Sequence, residues 1–160
     1  MARADLHPTT PNPTPGVPAV PMESCPISAT LGTLGRKWTL TILRDIAFSP
    51  EASFTKILHN NPGLRQRTLS LRLKQLAGEQ LIEKGPPING NRHRSYRLTS
   101  KGEQVWPVLT TLMQYGLQNH AEVVFADGQP RNVEEVFPHA TELMLGRFDL
   151  RRRSPSDPVN

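Results

Sequence analysis

Residues 65–74 read Arg-Gln-Arg-Thr-Leu-Ser-Leu-Arg-Leu-Lys, mixing cations and hydrogen-bonding groups with leucines at helical spacing. At about 100° per residue, Leu69, Leu73 and Leu76 fall on one face of a helix. Arg67, Leu71 and Lys74 then point almost directly away from that face, with Ser70 beside them. Gln66 and Thr68 flank the exposed first turn, and Arg65 and Arg72 complete the basic set. Such a face suits the major groove of duplex DNA. Arginine bonds guanine bidentately, glutamine bonds adenine, and a small apolar group meets the thymine methyl. The positive end of the helix also favours phosphate. Taken alone, the same face can simply be solvated, as most helical charge clusters are.

A second group lies further along, at Asn91, Arg92, His93 and Arg94, with Arg97 close behind. These residues occupy the polar tip of an expected hairpin, where they can straddle a phosphate backbone or enter a minor groove. Residues 65–101 together carry nine Lys and Arg against two Asp and Glu. The third reactive position is Cys25, just ahead of Pro26 at an expected helix start. A helix N-terminus lowers a thiol pKa, and the thiolate is the form that reacts with oxidants and electrophiles. The alternative is a small capping residue with no sensing role. The five histidines and the single cysteine share no metal-like spacing. With no nucleophile–base set and no glycine-rich phosphate loop, neither an enzyme nor a cofactor is expected.

The elements that position these groups follow from periodicity and breakers. Pro26 opens a short helix carrying Ile27, Leu31 and Leu34, which Gly35 ends. A second helix runs through residues 36–48 with Trp38, Ile42, Leu43 and Ile46 inward, and Ser49-Pro50 breaks it. Ser53 caps a third, with Phe54, Ile57 and Leu58 inward, and Asn60-Asn61-Pro62-Gly63 is a turn before the basic helix. Residues 81–85 and 94–99 form a hairpin. Thr99-Ser100 then caps one long helix reaching about His120, with Pro107 kinking it or falling in its early turns. The fold class expected is mainly α with a small β-hairpin wing (α+β): a winged helix-turn-helix with an extra helix at each end.

Charge and composition divide the chain the same way. Residues 25–120 hold 13 Lys and Arg against 5 Asp and Glu, so the net +5 is concentrated there. Residues 1–23 are proline-rich with few large apolar groups, and are expected to be a disordered tail. They lack the basic start and apolar run of a secretory leader. Residues 24–120 are expected to be the DNA-binding and dimerisation domain. Residues 121–160 form a partly ordered extension with an Asp127-Gly128 turn and an Asn132…Glu135 capping pattern; Met144, Leu145, Phe148 and Leu150 could dock on the core. No stretch reaches the roughly 20 apolar residues that cross a bilayer, so no membrane partner is expected. The lone cysteine fits a reducing cytosol, and a cytoplasmic location follows.

Three spaced segments carry a family likeness: 25–46 (CPISATLGTLGRKWTLTILRDI), 62–84 (PGLRQRTLSLRLKQLAGEQLIEK) and 96–109 (YRLTSKGEQVWPVL). In their Cys-Pro start, Gly35 with Lys37-Trp38, leucine- and arginine-rich helix and Tyr96…Leu98-Thr99…Lys101-Gly102 run, they resemble the HxlR-type winged helix-turn-helix regulators. The likeness covers about residues 25–120. It departs from the pattern where Arg36 and Gln80 stand in place of glycines usual in the family, and in the wing tip at 91–95.

The resemblance implies a homodimeric bacterial transcription regulator that binds an inverted repeat in double-stranded DNA, with the terminal helices at the dimer interface. Some members of the family sense oxidants, quinones or aldehydes through a cysteine at the matching position, which makes Cys25 the candidate sensor. The apolar stripes on 27–34 and 105–117 exceed what a three-helix core covers, which independently favours a symmetric partner. Two other readings stay open: a winged helix used for protein or RNA contact, and a regulator that takes a small apolar ligand inside the dimer.

Overall fold

The computed structural model describes residues 16, 18, 20–49, 51–87 and 94–138. The chain divides into two units, residues 1–36 and 37–160. In the first, helix α1 spans Pro26–Leu34, with Cys25 as its extended N-cap and Pro26 at the first helical position. The missing proline N–H costs nothing there, because the first turn has no intrahelical acceptor for it. Ile27 and Leu31, at 69% and 54%, are largely exposed.

The second unit begins with α2 (Thr39–Phe48) and α3 (Phe54–Asn60). It continues through α4 (Gln66–Gly78), strands β1 (Ile82–Pro87) and β2 (Arg94–Leu98), and α5 (Ser100–Glu103). Helices α6 (Trp106–Asn119), α7 (Ala121–Val124) and α8 (Val133–Val136) complete it. This is a mainly helical winged helix with a two-stranded antiparallel hairpin. Ile42, Leu43, Ile57 and Leu69 are fully enclosed at its centre, and α2 touches α3, β2 and α6. Truncating any one of these aliphatic side chains to alanine should cost about 2–5 kcal/mol.

Trp38 does not join the face of α2 expected for it. It is the N-cap, in the left-handed region at φ 75°, so the helix starts at Thr39, three residues after the expected start at 36. The expected single helix from 99 to 120 is also two. Thr99 caps α5 by accepting from the Gly102 N–H, the chain breaks at Gln104 and Val105, and α6 restarts with Pro107 in its first turn. The break falls where Pro107, which has no N–H, cannot bond back to the Glu103 carbonyl. Gly102 lies so close to the Leu81 backbone that a Cβ there would sit 1.9 Å from the Leu81 carbonyl oxygen. Gly102 thus lets the short helix pack directly on the start of the wing.

A buried polar cluster joins α2 to the α3–α4 turn. The Asn61 amide donates to Asp45 at 2.5 Å and to the Ile57 carbonyl at 2.7 Å. Arg44 donates to Asp45 at 2.8 Å and to Asn61 at 3.3 Å. Buried polar groups are tolerable only when paired in this way, and a paired set fixes one arrangement of the turn. Gly63, at φ 91°, completes the reversal into α4.

Beyond α7, the chain folds back across α6. The Arg131 N–H donates to the Leu117 carbonyl, and the Val133 N–H to the Gln114 side chain. Asn132 and Glu135 form the expected capping box on α8. Arg131 pairs with Asp127, whose carboxyl this guanidinium holds down at about 2. The Phe137 ring sits 6.4 Å from Phe48. The docking expected of Met144, Leu145, Phe148 and Leu150 lies outside the described residues, as does most of the 1–23 tail.

Candidate nucleic-acid interface

Helix α4 presents the face its spacing predicts. Leu69, Leu73 and Leu76 are buried, and Arg65, Gln66, Arg67, Ser70, Leu71 and Lys74 are exposed. Leu71 is 51% exposed, a large apolar side chain standing among cations and hydroxyls. Thr68 and Arg72 are half-buried. No acidic residue occurs within α4, and its N-cap Arg65 makes no side-chain cap bond to the first turn. The leading N–H groups and the basic side chains therefore present one sign of potential.

Arg72 has a further role. Its Nε donates to the Lys37 carbonyl at 3.1 Å and its Nη1 to Gln75 at 2.6 Å, which tethers α4 to the residue just before the positive-φ Trp38. Sequence spacing places Arg72 beside the basic face but carries no sign of this long-range backbone acceptor.

The hairpin stands beside α4. Ile82 pairs with Leu98, Glu83 with Arg97, Lys84 with Tyr96 and Pro87 with Arg94, with an irregularity between Lys84 and Pro87. The Tyr96 N–H also donates to the Ala52 carbonyl at 2.8 Å, so the segment before α3 adds a third edge to the sheet. Arg94 is exposed at the outer end of β2. Asn91, Arg92 and His93 lie outside the described residues. Arg97 is held by Glu83 at 2.7 Å, across the strands. Between α4 and the hairpin lies an open cleft of about 340 Å³, bordered by Ser70 and Lys74 on one side and by Lys84 and Tyr96 on the other. Partial burial pushes the Tyr96 phenol up.

Four contacts lock the wing's base. The Thr99 N–H donates to the Leu81 carbonyl and its hydroxyl to the Gln80 carbonyl, the latter at 2.5 Å. The Lys101 ammonium donates to the Glu79 carbonyl at 2.9 Å, and Gly102 packs on Leu81. These contacts account for the Leu98-Thr99…Lys101-Gly102 run. Gln80 adopts φ 59°, the left-handed region that explains why glycine is usual there.

Cys25 is exposed. Its thiol is held below the ordinary value by the backbone N–H of Ser28, then that of Ile27, with the Ser28 hydroxyl adding to both. Among the described residues no group of three or more His, Cys, Asp or Glu lies together, and no helix is long and apolar enough to cross a membrane.

A helix-turn-helix with an exposed basic second helix and a flanking hairpin defines a winged-helix transcription regulator. The chain belongs to the HxlR-like helix-turn-helix family, whose model matches residues 33–123. A helix-turn-helix-type transcriptional regulator of Synechocystis is 30% identical over 92 residues, 58% of this chain and 67% of that one. Another from Mycobacterium bovis is 34% identical over 90 residues, 56% of each chain, so the match spans little more than half of that relative. A crystal structure of a MarR-family transcriptional regulator from Porphyromonas gingivalis is 28% identical with a TM-score of 0.55, covering 62% of this chain and 97% of that one.

Proposed function

We propose that this regulator binds an inverted-repeat operator in double-stranded DNA as a homodimer. In this reading α4 lies in the major groove and the hairpin along the adjoining backbone. The observation that carries it is the outward face of α4, where Arg67, Ser70, Leu71 and Lys74 stand exposed on a helix without a single acid. Arg67 reads guanine, Leu71 meets a thymine methyl, and Gln66, Thr68 and Ser70 supply further hydrogen bonds. Arg65, Arg72, Lys74, Asn91, Arg92, His93 and Arg94 contact phosphates and fix the register. Residues 24–120 form the DNA-binding and dimerisation domain, and 121–160 extend it.

The dimer has support in the apolar surface of α6. Val108, Leu112 and Tyr115, at i, i+4 and i+7, are all exposed, Leu112 and Tyr115 at 49% and 58%. A contiguous apolar stripe on one helix marks an interaction face, and a second copy is the commonest partner.

Cys25 is the proposed oxidant or electrophile sensor. Its support is an exposed thiol with a depressed pKa at the start of α1. With no second cysteine in the chain, two-electron oxidation by diamide joins Cys25 of two copies and converts the reagent to its hydrazine. Operator affinity measured before and after diamide tests this; a response that persists in Cys25→Ser removes the cysteine from the account.

Affinity for duplex DNA across a salt series tests the main reading. Log affinity should fall linearly against log salt, with a slope of about −0.9 per neutralised phosphate. A shallow slope, with tighter binding to single-stranded RNA or to a protein, favours the winged helix as an RNA or protein module.

A further inference from the structure

We propose that the cleft between α4 and the hairpin is a seat for a DNA backbone phosphate, held by Lys84 from β1 and Lys74 from α4. The proposal rests on the DNA-binding reading above and adds to it a residue outside the base-reading face and the wing tip. Three observations converge on it.

The cleft has about 340 Å³ of open space, and its rim brings Lys84 opposite Lys74 and the Ser70 hydroxyl. Two lysines and a serine on the rim of one open cleft suit an oxyanion, and lysine binds phosphate as a point charge that tolerates any neighbouring sequence. The single carboxylate on the lining is Glu83, and it is occupied: Arg97, its cross-strand partner, holds it at 2.7 Å. The acid that would repel a phosphate is thus neutralised from within the wing.

The cations nearby are otherwise committed. Arg97 is held by Glu83 and Lys101 by the Glu79 carbonyl. Lys84 is exposed and meets no carboxylate among the described residues. The proposal places the DNA strand that borders the groove between α4 and the hairpin.

The test is a salt titration of affinity for an operator duplex and for a random duplex, with wild type, Lys84→Gln and Lys84→Arg. Lys84→Gln should lower affinity for both duplexes by the same factor and make the slope shallower by about 0.9. A rise from about 50 to 200 mM salt then costs the wild type roughly threefold more affinity than the variant. Lys84→Arg should keep the wild-type slope, and a thermal melt matching wild type would show that Lys84→Gln folds. A steep wild-type slope left unchanged in Lys84→Gln overturns the phosphate seat alone, as does a loss confined to the operator duplex. A flat slope in the wild type itself overturns the DNA-binding reading and the seat with it.

Discussion

The Thr99 hydroxyl links two turns at once: it donates to the Gln80 carbonyl at 2.5 Å while its oxygen accepts from the Gly102 N–H at 3.0 Å. The wing is therefore fastened to the end of α4 and to the start of α5 through one side chain.

Replacing that side chain should loosen the wing. Thr99→Ala removes the α5 cap and leaves the Gln80 carbonyl without its hydroxyl donor, a loss of about 1–2 kcal/mol. Urea denaturation checks the magnitude, and hydrogen exchange should show the added opening at Leu81 and Ile82. A variant as stable as wild type would mean the hydroxyl bonds contribute nothing net.

Gln80 itself is strained. A non-glycine residue at φ 59° costs about 1 kcal/mol, which glycine avoids while adding freedom to the unfolded chain. Gln80→Gly should therefore stay within about 1 kcal/mol of wild type. Gln80→Val, β-branched in the left-handed region, should destabilise by roughly 1–3 kcal/mol. Melting temperatures of the pair measure the contrast, and equal values for Gly and Val would contradict it.

The helical pattern of α4, the Ser53 cap, the Asn132 capping box and the hairpin were all legible in the sequence, because each depends on neighbours within a turn or a tight reversal. What the sequence hid depends on distant backbone. The packing of Gly102 on the Leu81 carbonyl is one such contact, and the tether of Arg72 reaches back 35 residues to Lys37. The same holds for the Asp45–Asn61 bond, which no periodicity marks. The exposed face of α4 was readable from spacing, and the cleft bringing Lys84 to Lys74 was not, because it needs the hairpin folded beside the helix.

The exposed stripe on α6 makes a testable claim about assembly. Leu112→Asp places a charge where the proposed dimer buries an apolar group, and in a single chain the position is 49% exposed. Sedimentation equilibrium should show a dimer for wild type and a monomer for the variant at micromolar concentration, with the melt of the monomer little changed. A variant that stays dimeric would remove α6 from the interface.

Cys25 should titrate below an ordinary thiol, because the Ser28 and Ile27 N–H groups favour the thiolate. The sign follows from linkage: a depressed folded-state pKa adds stability above the unfolded thiol's pKa. That contribution fades as pH falls through the folded value. The rate of iodoacetamide alkylation against pH should have its midpoint lower in native protein than in urea. Coincident midpoints would show that α1 exerts no hold on the thiol.

The central claim, that α4 and the hairpin read an operator, is tested most directly by selecting bound sequences from a random duplex pool. The account predicts an enriched inverted repeat with half-sites about 34–36 Å apart, or a multiple of that spacing, and relaxed preference at one position in each half-site for Arg67→Ala. A pool that yields no enriched motif with folded wild-type protein would contradict it.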